Sequence, residues 1–533
     1  MYLCSMFVRK KKNRSGSVSV VVVDKSLGRF REIRQFGVAY TEAEADALVS
    51  QARRWIRHYG GQQQIDFEGE AVGTASDVDS FVGRIGGLSI NGTYLLLSQV
   101  YDRIGFDRIK DEVLRHLVIA RISQPSSKLA TVAYLRSYYK EDVDLSRIYR
   151  YMDKLYNCQM ELVQEISIAH TRRILGGNIG LLFYDVTTLY FEAAPKDDMR
   201  QAGFSKDGKT SEAQIVLGLL VSQDGYPLSY SIFNGSQYEG YTMIPIVDDF
   251  VQRFSLKDFV IVADSGLMSA KNMKLLRSAG YKYIVGARIK TERTEVRDWI
   301  LSLEKKNGAV YEHQKDDGDR LVVSYSAARA ANDAKNRDKG VARLEKAYCS
   351  GRLTKDKINK RGYNKFLEIS KDVQVTISQE KIAEDVRWDG LKGYITNTSL
   401  DAEEVISQYH GLWVVEKAFR VSKGNLEMRP VFHFTERRIE AHVCICFIAY
   451  KVYKELERII RISKINLSVD KVLDIAKTIA TIDIKTDGVE GVSKRTPFLT
   501  EEQMPIKPLF NVKFFHFTTS YYCYCRITFY LHT

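Results

Sequence analysis

Three acidic residues stand in sequence contexts that suit metal-dependent chemistry. Asp185 and Asp264 each end an apolar run typical of a buried strand, and Glu416 lies in the amphipathic segment 409–420. Mg²⁺ prefers carboxylate oxygens and keeps several waters. Two such ions can activate an attacking oxygen and stabilise a leaving one. Two strand-end carboxylates and one helix carboxylate therefore indicate a two-metal site for phosphoryl transfer.

The segment around Glu416 predicts a helix with an unusual polar face. At 100° per residue, Tyr409, Leu412, Glu416, Arg420 and Lys423 fall on one stripe of a continuous helix. Charged residues rarely face a core, so the stripe suits a metal and a phosphate backbone. A partly exposed helix with scattered charges is the alternative interpretation of the same pattern.

The spacing of these residues resembles that of the DDE transposases of bacterial insertion sequences, in the branch with a Tyr-x2-Arg-x3-Glu-x6-Lys helix. Tyr409, Leu412, Glu416 and Lys423 keep that spacing, with Leu412 in place of the arginine. Arg420 is the candidate substitute for the lost arginine. The resemblance implies that Tyr409, Arg420 and Lys423 contact DNA.

Three further segments carry the resemblance from about residue 183 to about residue 455. They are Tyr184–Thr188, Ala263–Gly266 and Arg429–His433. Each segment alone is a weak signal, whereas the combination is specific.

The resemblance implies a catalytic site and a reaction. Asp185, Asp264 and Glu416 would be catalytic ligands of two Mg²⁺ ions, with Mn²⁺ as a substitute. Water would free a 3′-hydroxyl at the transposon end, and that hydroxyl would then attack target DNA. The implied partners are terminal inverted repeats and target DNA, bound by a homodimer in the bacterial cytoplasm, at the nucleoid.

Two rival functions share part of this pattern. A metal-dependent nuclease would use the same carboxylates but would need no second DNA. An inactive DNA-binding copy would explain Leu412 and the unusual C-terminus. A strand-transfer assay separates all three.

Composition limits the remaining possibilities. The 533-residue chain has a formal net charge of +13 and a pI of about 9.1, which favours an anionic partner, either nucleic acid or an acidic membrane surface. No run of eighteen apolar residues predicts a membrane span. The seven cysteines are scattered without CxxC spacing, which predicts neither a zinc ribbon nor disulfides and favours a reducing compartment.

The predicted fold class is α/β, with strands in a ribonuclease-H-like order. A strand meander, with an Asp224-Gly225 hairpin turn, is followed by strands separated by helices. The predicted parts are a basic, DNA-binding N-terminal region (1–92), a helical module (93–178), the catalytic core (179–289 and 400–460), a mixed β/α insertion (290–399) and a C-terminal region (461–533).

Several other residues have less specific interpretations. Trp413 is predicted to be a core anchor rather than a platform for base stacking, and His433 and His442 to be hydrogen-bonded core or surface residues. The stretch 509–533 holds nine Phe or Tyr residues and no acidic residue. We therefore expect residues after Pro508 to be dispensable and prone to aggregation.

Overall fold

The computed structural model describes residues 6–25, 30–58, 83, 85–192, 196–203, 211–267, 269–350, 362–369, 375–485, 492–496 and 499–510. The chain divides into two compact units, Met1–Ile85 and Gly86–Thr533. Within the described residues, no helix is long and apolar enough to cross a membrane.

The N-terminal unit combines an antiparallel sheet with one face of a helix. Its elements are β1 (Met6–Lys12), β2 (Val18–Asp24), β3 (Arg31–Ala39) and α1 (Glu42–His58), with β2 in the centre of the sheet. Val20 and Val22 of β2 pack against Ala52 of α1. A capping box starts α1, because the Glu44 N–H donates to Thr41 Oγ1 and the Thr41 N–H donates to the Glu44 carboxylate, both at 3.3 Å.

The second unit begins with a short strand and a run of helices, as the three- and four-residue apolar spacing predicts. The elements are β4 (Ile85–Ser89), α2 (Gly92–Ile104), α3 (Glu112–Ser123), α4 (Lys128–Tyr134), α5 (Leu145–Cys158) and α6 (Met160–Ile174), with a π-helical turn at Leu135–Tyr139.

A large mixed sheet follows these helices. Its first part contains β5 (Leu181–Tyr190), β6 (Gln214–Ser222), β7 (Pro227–Asn234), α7 (Met243–Phe254), β8 (Val260–Ala263), α8 (Ala270–Ser278) and β9 (Lys282–Ala287). Strands β5, β6 and β7 form the predicted antiparallel meander, whereas β8 is parallel to β5 and β9 is parallel to β8. Gly225 has a φ of +81° in the predicted hairpin turn, a conformation that glycine adopts easily.

The inserted segment extends this sheet. It contains α9 (Thr294–Ser302), β10 (Val310–Gln314), β11 (Arg320–Tyr325), α10 (Ala327–Cys349), β12 (Leu367–Ile369), β13 (Val375–Ile377), α11 (Gln379–Val386) and β14 (Leu391–Thr396). Because β14 pairs with β9, the eight-stranded sheet has the order β10-β11-β14-β9-β8-β5-β6-β7. Helix α10 is basic, and residues 351–361, which follow it closely, lie outside the described part of the chain.

The remaining elements are mainly helical. They are α12 (Ala402–His410), α13 (Trp413–Lys423), α14 (Glu436–Ile462), α15 (Val469–Ala476), β15 (Thr481–Lys485), β16 (Val492–Arg495) and a 3₁₀ turn, Met504–Leu509. Helix α14 is buried along most of its length and packs against α3, α5 and α6 of the helical run. It therefore joins the helical run and the sheet around one core.

The expected continuous helix 409–420 is interrupted, so this prediction is wrong. The N–H groups of Leu412 and Val414 donate to carbonyls three residues back, both at 3.0 Å, which tightens the backbone between α12 and α13. Gly411 lies against the strand β5, where a Cβ would stand 2.6 Å from Phe183 Cζ. Tyr409 and Glu416 consequently occupy two helices rather than one stripe.

The described fold extends two residues beyond Pro508, after which the chain was expected to be dispensable. Leu509 and Phe510 are buried in the same core as Ile506, so the globular fold continues through Phe510. Residues 511–533 lie outside the described part of the chain.

Candidate active site

Asp264 and Tyr409 form the best-defined contact of the site. Asp264 is exposed directly after β8, and Tyr409 Oη donates to its Oδ1 at 3.0 Å. Burial, followed by the Asp264 charge, raises the pKa of Tyr409. The phenol therefore stays protonated and can hold the carboxylate in one orientation.

A glycine on β9, Gly286, makes room for this contact. A Cβ at Gly286 would stand 2.6 Å from Tyr409 Oη and 3.2 Å from the backbone nitrogen of Ser265. A contact below 3 Å requires a shift of the neighbouring atoms. Glycine at this position allows the phenol to reach across the sheet to Asp264.

Asp185 lies in the middle of β5, next to the strand that leads to Asp264. The parallel register pairs Tyr184 with Ala263, so Asp185 and Asp264 are the next matched positions along the two chains. Neighbouring strands are about 4.8 Å apart. Side chains alternate along a strand, so Asp185 projects from the same face as Phe183, the face that the α12–α13 junction covers.

Glu416 lies on α13, and its charge and that of Asp264 both act on Lys392. The Lys392 ammonium lies 4.4 Å from the centroid of the Tyr409 ring. Burial and then Arg329 lower the pKa of Lys392, whereas Asp264 and Glu416 oppose that decrease. Lys392 therefore lies within electrostatic reach of both carboxylates.

Lys392 is a residue of the candidate site that no sequence pattern indicates. It lies on β14, at the position that pairs with Ser324 of β11. Lysine on a strand of a long insertion carries no spacing signal. Only the pairing of β14 with β9 brings this residue beside the carboxylates.

The donor set fits a hard divalent cation in its chemistry. Asp185 is half-buried, while Asp264 and Glu416 are exposed, and all three offer carboxylate oxygens. Among the residues that the structure describes, no three or more Asp, Glu, His or Cys side chains converge closely enough to enclose one ion. Asp185 and Asp264 directly follow the paired residues Tyr184 and Ala263 on neighbouring strands, and Glu416 lies on a separate helix, α13.

The other predicted site residues lie further along α13. Arg420 is exposed and Lys423 is half-buried, both in the last turn of the helix. Leu412 is buried, so the residue at the arginine position of the signature contributes to packing.

Trp413 is not the core anchor that the sequence suggested. Its side chain is 58% exposed, and the Lys417 ammonium lies 6.0 Å from its ring. The tightened turn at residues 411–412 changes which side chains of α13 face the core, and helical spacing could not anticipate that change.

The sequence matches the family described as "Transposase DDE domain" over residues 177–451, which is more than half of the chain. The chain therefore belongs to this family of transposases. No curated protein matches it.

One similar solved structure is described as the "Cryo-EM structure of piggyBac transposase synaptic complex with hairpin DNA". The two chains are 11% identical and superpose with a TM-score of 0.38, over 73% of this chain and 79% of the other. A likeness at this level bears on neither mechanism nor substrate.

Proposed function

We propose that this protein is a transposase of the bacterial insertion-sequence type, which cuts DNA at the ends of its element and joins the 3′-hydroxyl ends to target DNA. The observation that carries the proposal is the grouping of Asp264, Tyr409 and Glu416 around Lys392, beside the strand of Asp185. All five residues lie inside the segment 177–451 that matches the transposase family.

A ribonuclease-H-like core is part of the proposal. The strand order β7-β6-β5-β8-β9, with an antiparallel meander and then two parallel strands, supports it. In this arrangement the first carboxylate lies on the central strand and the second at the end of its parallel neighbour.

Asp185, Asp264 and Glu416 are the residues that would hold two divalent ions, Mg²⁺ or its substitute Mn²⁺. When bound, such ions activate a nucleophile and neutralise charge that develops on the phosphate. Tyr409 fixes the Asp264 carboxylate through its hydrogen bond. Lys392 places a positive charge beside the carboxylates, which balances their repulsion before DNA arrives.

Arg420 and Lys423, at the end of α13, are proposed to contact phosphates of the cleaved end. Each phosphate contact adds a counterion-release contribution to affinity. The N-terminal region (1–92) and the helical module (93–178) are proposed to bind the terminal repeats. The assembled species would be a homodimer on DNA, acting in the bacterial cytoplasm.

A strand-transfer assay tests the proposal. Asp185→Asn, Asp264→Asn and Glu416→Gln should each abolish cleavage of terminal-repeat DNA in Mg²⁺ while leaving DNA binding nearly unchanged, because each removes a metal ligand. Glu403→Gln, which changes an exposed glutamate on α12, is the matched control and should retain full activity.

The same assay distinguishes the rival functions. Cleavage without joining would identify a nuclease, and binding without cleavage by the unmodified protein would identify an inactive copy. A substituted carboxylate that leaves cleavage near normal would exclude that residue from the site.

A further inference from the structure

Helix α10 of the insertion carries its basic side chains on one side. The exposed cations, called here the α10 stripe, are Arg329, Lys335, Lys339, Arg343 and Lys346. At 100° per residue these five fall within an arc of about 120°. The exposed acidic residues of the helix, Asp338 and Glu345, fall outside that arc. The two signs of charge therefore occupy different faces of α10.

The α10 stripe is not neutralised by the part of the protein that the structure describes. Within that part, none of its five cations forms an ion pair. The inward-facing cation of the same helix is different, since Arg337 is buried and donates to both carboxylate oxygens of Asp389, each at 2.6 Å. Cations of one sign on one face create a positive potential that attracts an external polyanion.

The inner face of α10 is held against the turn that leads into β14, the strand of Lys392. The Asp333 carboxylate accepts a hydrogen bond from the Gly390 N–H at 3.2 Å. Helix and turn are so close that a Cβ at Gly390 would stand 2.9 Å from the Cβ of Ala330. These contacts fix the position of the α10 stripe relative to the candidate active site.

The α10 stripe begins at the edge of the sheet where the carboxylates lie. Strand β11, which leads into α10, runs in the same direction as β8, because β14 is antiparallel to both β11 and β9 and β9 is parallel to β8. Both β11 and β8 therefore end at the edge where Asp264 follows β8. After burial, the charge of Arg329 is the main cause that lowers the pKa of Lys392. From Arg329 the stripe extends about 25 Å to Lys346, at 1.5 Å per residue.

The α10 stripe and the cations of α13 lie on different sides of the carboxylates. Arg420 and Lys423, which are proposed to hold the cleaved end, belong to α13, and that helix packs against β5 and β6. Helix α10 follows β11, which lies on the other side of β8 in the order of the sheet. The strands of Asp185 and Asp264 thus separate two groups of cations, an arrangement that suits two different DNA segments.

We propose that the α10 stripe binds the sugar-phosphate backbone of the target duplex. Its length of about 25 Å corresponds to about seven base pairs of B-DNA. Contacts to phosphates carry no sequence information, so such a stripe suits a duplex that is not selected by terminal repeats. This inference rests on the proposed function, because target DNA is a substrate only if the protein joins strands.

The test is joining of a pre-cleaved terminal-repeat duplex to a duplex without repeats, in Mg²⁺, at increasing concentrations of the second duplex. For Lys339→Gln/Arg343→Gln, the target concentration that gives half-maximal joining should rise about tenfold. The slope of its logarithm against that of the NaCl concentration should fall by about two, because two phosphate contacts are lost. Cleavage of terminal-repeat DNA needs no target and should continue at the rate of the unmodified protein.

Two controls separate position from charge. Lys257→Gln/Lys282→Gln also removes two exposed cations, but these lie before β8 and at the start of β9, at the opposite edge of the sheet. This variant should join strands as the unmodified protein does. Lys339→Arg/Arg343→Lys keeps both charges and should preserve the half-maximal target concentration and the salt slope.

Three results would overturn the inference. The first is an unchanged salt slope for folded Lys339→Gln/Arg343→Gln. The second is loss of terminal-repeat cleavage together with joining, which would assign the α10 stripe to the transposon end. The third is loss of binding to phosphatidylserine vesicles with unchanged duplex binding, which would assign it to a membrane surface.

A binding measurement keeps this inference distinct from the proposed function. Fluorescence anisotropy of a labelled duplex without repeats, recorded without divalent metal, reports on the α10 stripe whether or not the protein is catalytically active. A fall in salt slope of about two for Lys339→Gln/Arg343→Gln would support backbone binding by the stripe. If the unmodified protein cleaves without joining, the proposed function fails and the assignment to target DNA fails with it. An unchanged anisotropy slope refutes the stripe alone.

Discussion

At the scale of single residues, the site depends on a glycine without a side chain as well as on the side chains that form contacts. The hydrogen bond from Tyr409 to Asp264 passes over Gly286, where the surrounding atoms leave no room for a methyl group. Lys392 enters the same space from a different strand. The orientation of one carboxylate thus depends on three positions that lie far apart in sequence.

A double-mutant cycle tests this arrangement. Gly286→Ala should lower the free energy of unfolding by about 1–3 kcal/mol, because its Cβ would lie 2.6 Å from Tyr409 Oη. Tyr409→Phe removes that oxygen, so Gly286→Ala should cost less in the Tyr409→Phe background. Urea denaturation of the four proteins measures the coupling. If the two substitutions change the free energy of unfolding additively, the phenol oxygen does not lie over residue 286.

At the scale of elements, local signals predicted the sheet well. Apolar runs predicted β5 and β8, and the Asp224-Gly225 pair predicted the hairpin. These features depend on residues close in sequence, and for that reason a pattern reveals them.

The features that the sequence did not reveal depend on tertiary partners. The break between α12 and α13 arises where Gly411 meets Phe183, more than two hundred residues earlier in the chain. The exposure of Trp413 follows from that break, and the position of Lys392 follows from the pairing of β14 with β9. None of these contacts leaves a periodic signal.

The α12–α13 junction gives an element-scale prediction. Gly411→Ala should destabilise the protein by about 1 kcal/mol. The clash with Phe183 costs about 1–3 kcal/mol, whereas the gain in helix propensity is at most about 1 kcal/mol. DNA cleavage should fall as well, because α13 carries Glu416. Thermal unfolding and cleavage assays measure both effects.

Its control is another glycine with open space around it. Gly180→Ala introduces a Cβ with no neighbour within 4 Å and should change neither property. A Gly411→Ala protein as stable and active as the unmodified one would contradict the role given to this contact. Phe183→Leu should relieve part of the Gly411→Ala defect, since the ring atom that clashes is then absent.

At the scale of the whole molecule, helix α14 is the element against which the helical run and the sheet both pack. It is buried along most of its length and contacts the helical run, the sheet and α15. The C-terminal 3₁₀ turn, Met504–Leu509, packs on α15 and so completes this core. Packing consequently carries the described fold past Pro508, where the change in composition begins.

Two truncations test the packing of Leu509 and Phe510. A chain that stops after Phe510 should unfold at the same temperature as the full chain, retain strand transfer and be more soluble, because it loses the eight Phe or Tyr side chains of residues 511–533, a stretch without an acidic residue. A chain that stops after Pro508 also loses Leu509 and Phe510, which are 8% and 5% exposed. Removing two buried side chains of this size should cost about 2–5 kcal/mol and lower the melting temperature by several degrees. Equal stability of the two truncated proteins would show that Leu509 and Phe510 contribute nothing to the core. Loss of strand transfer by a folded chain ending at Phe510 would show that the aromatic tail takes part in the reaction.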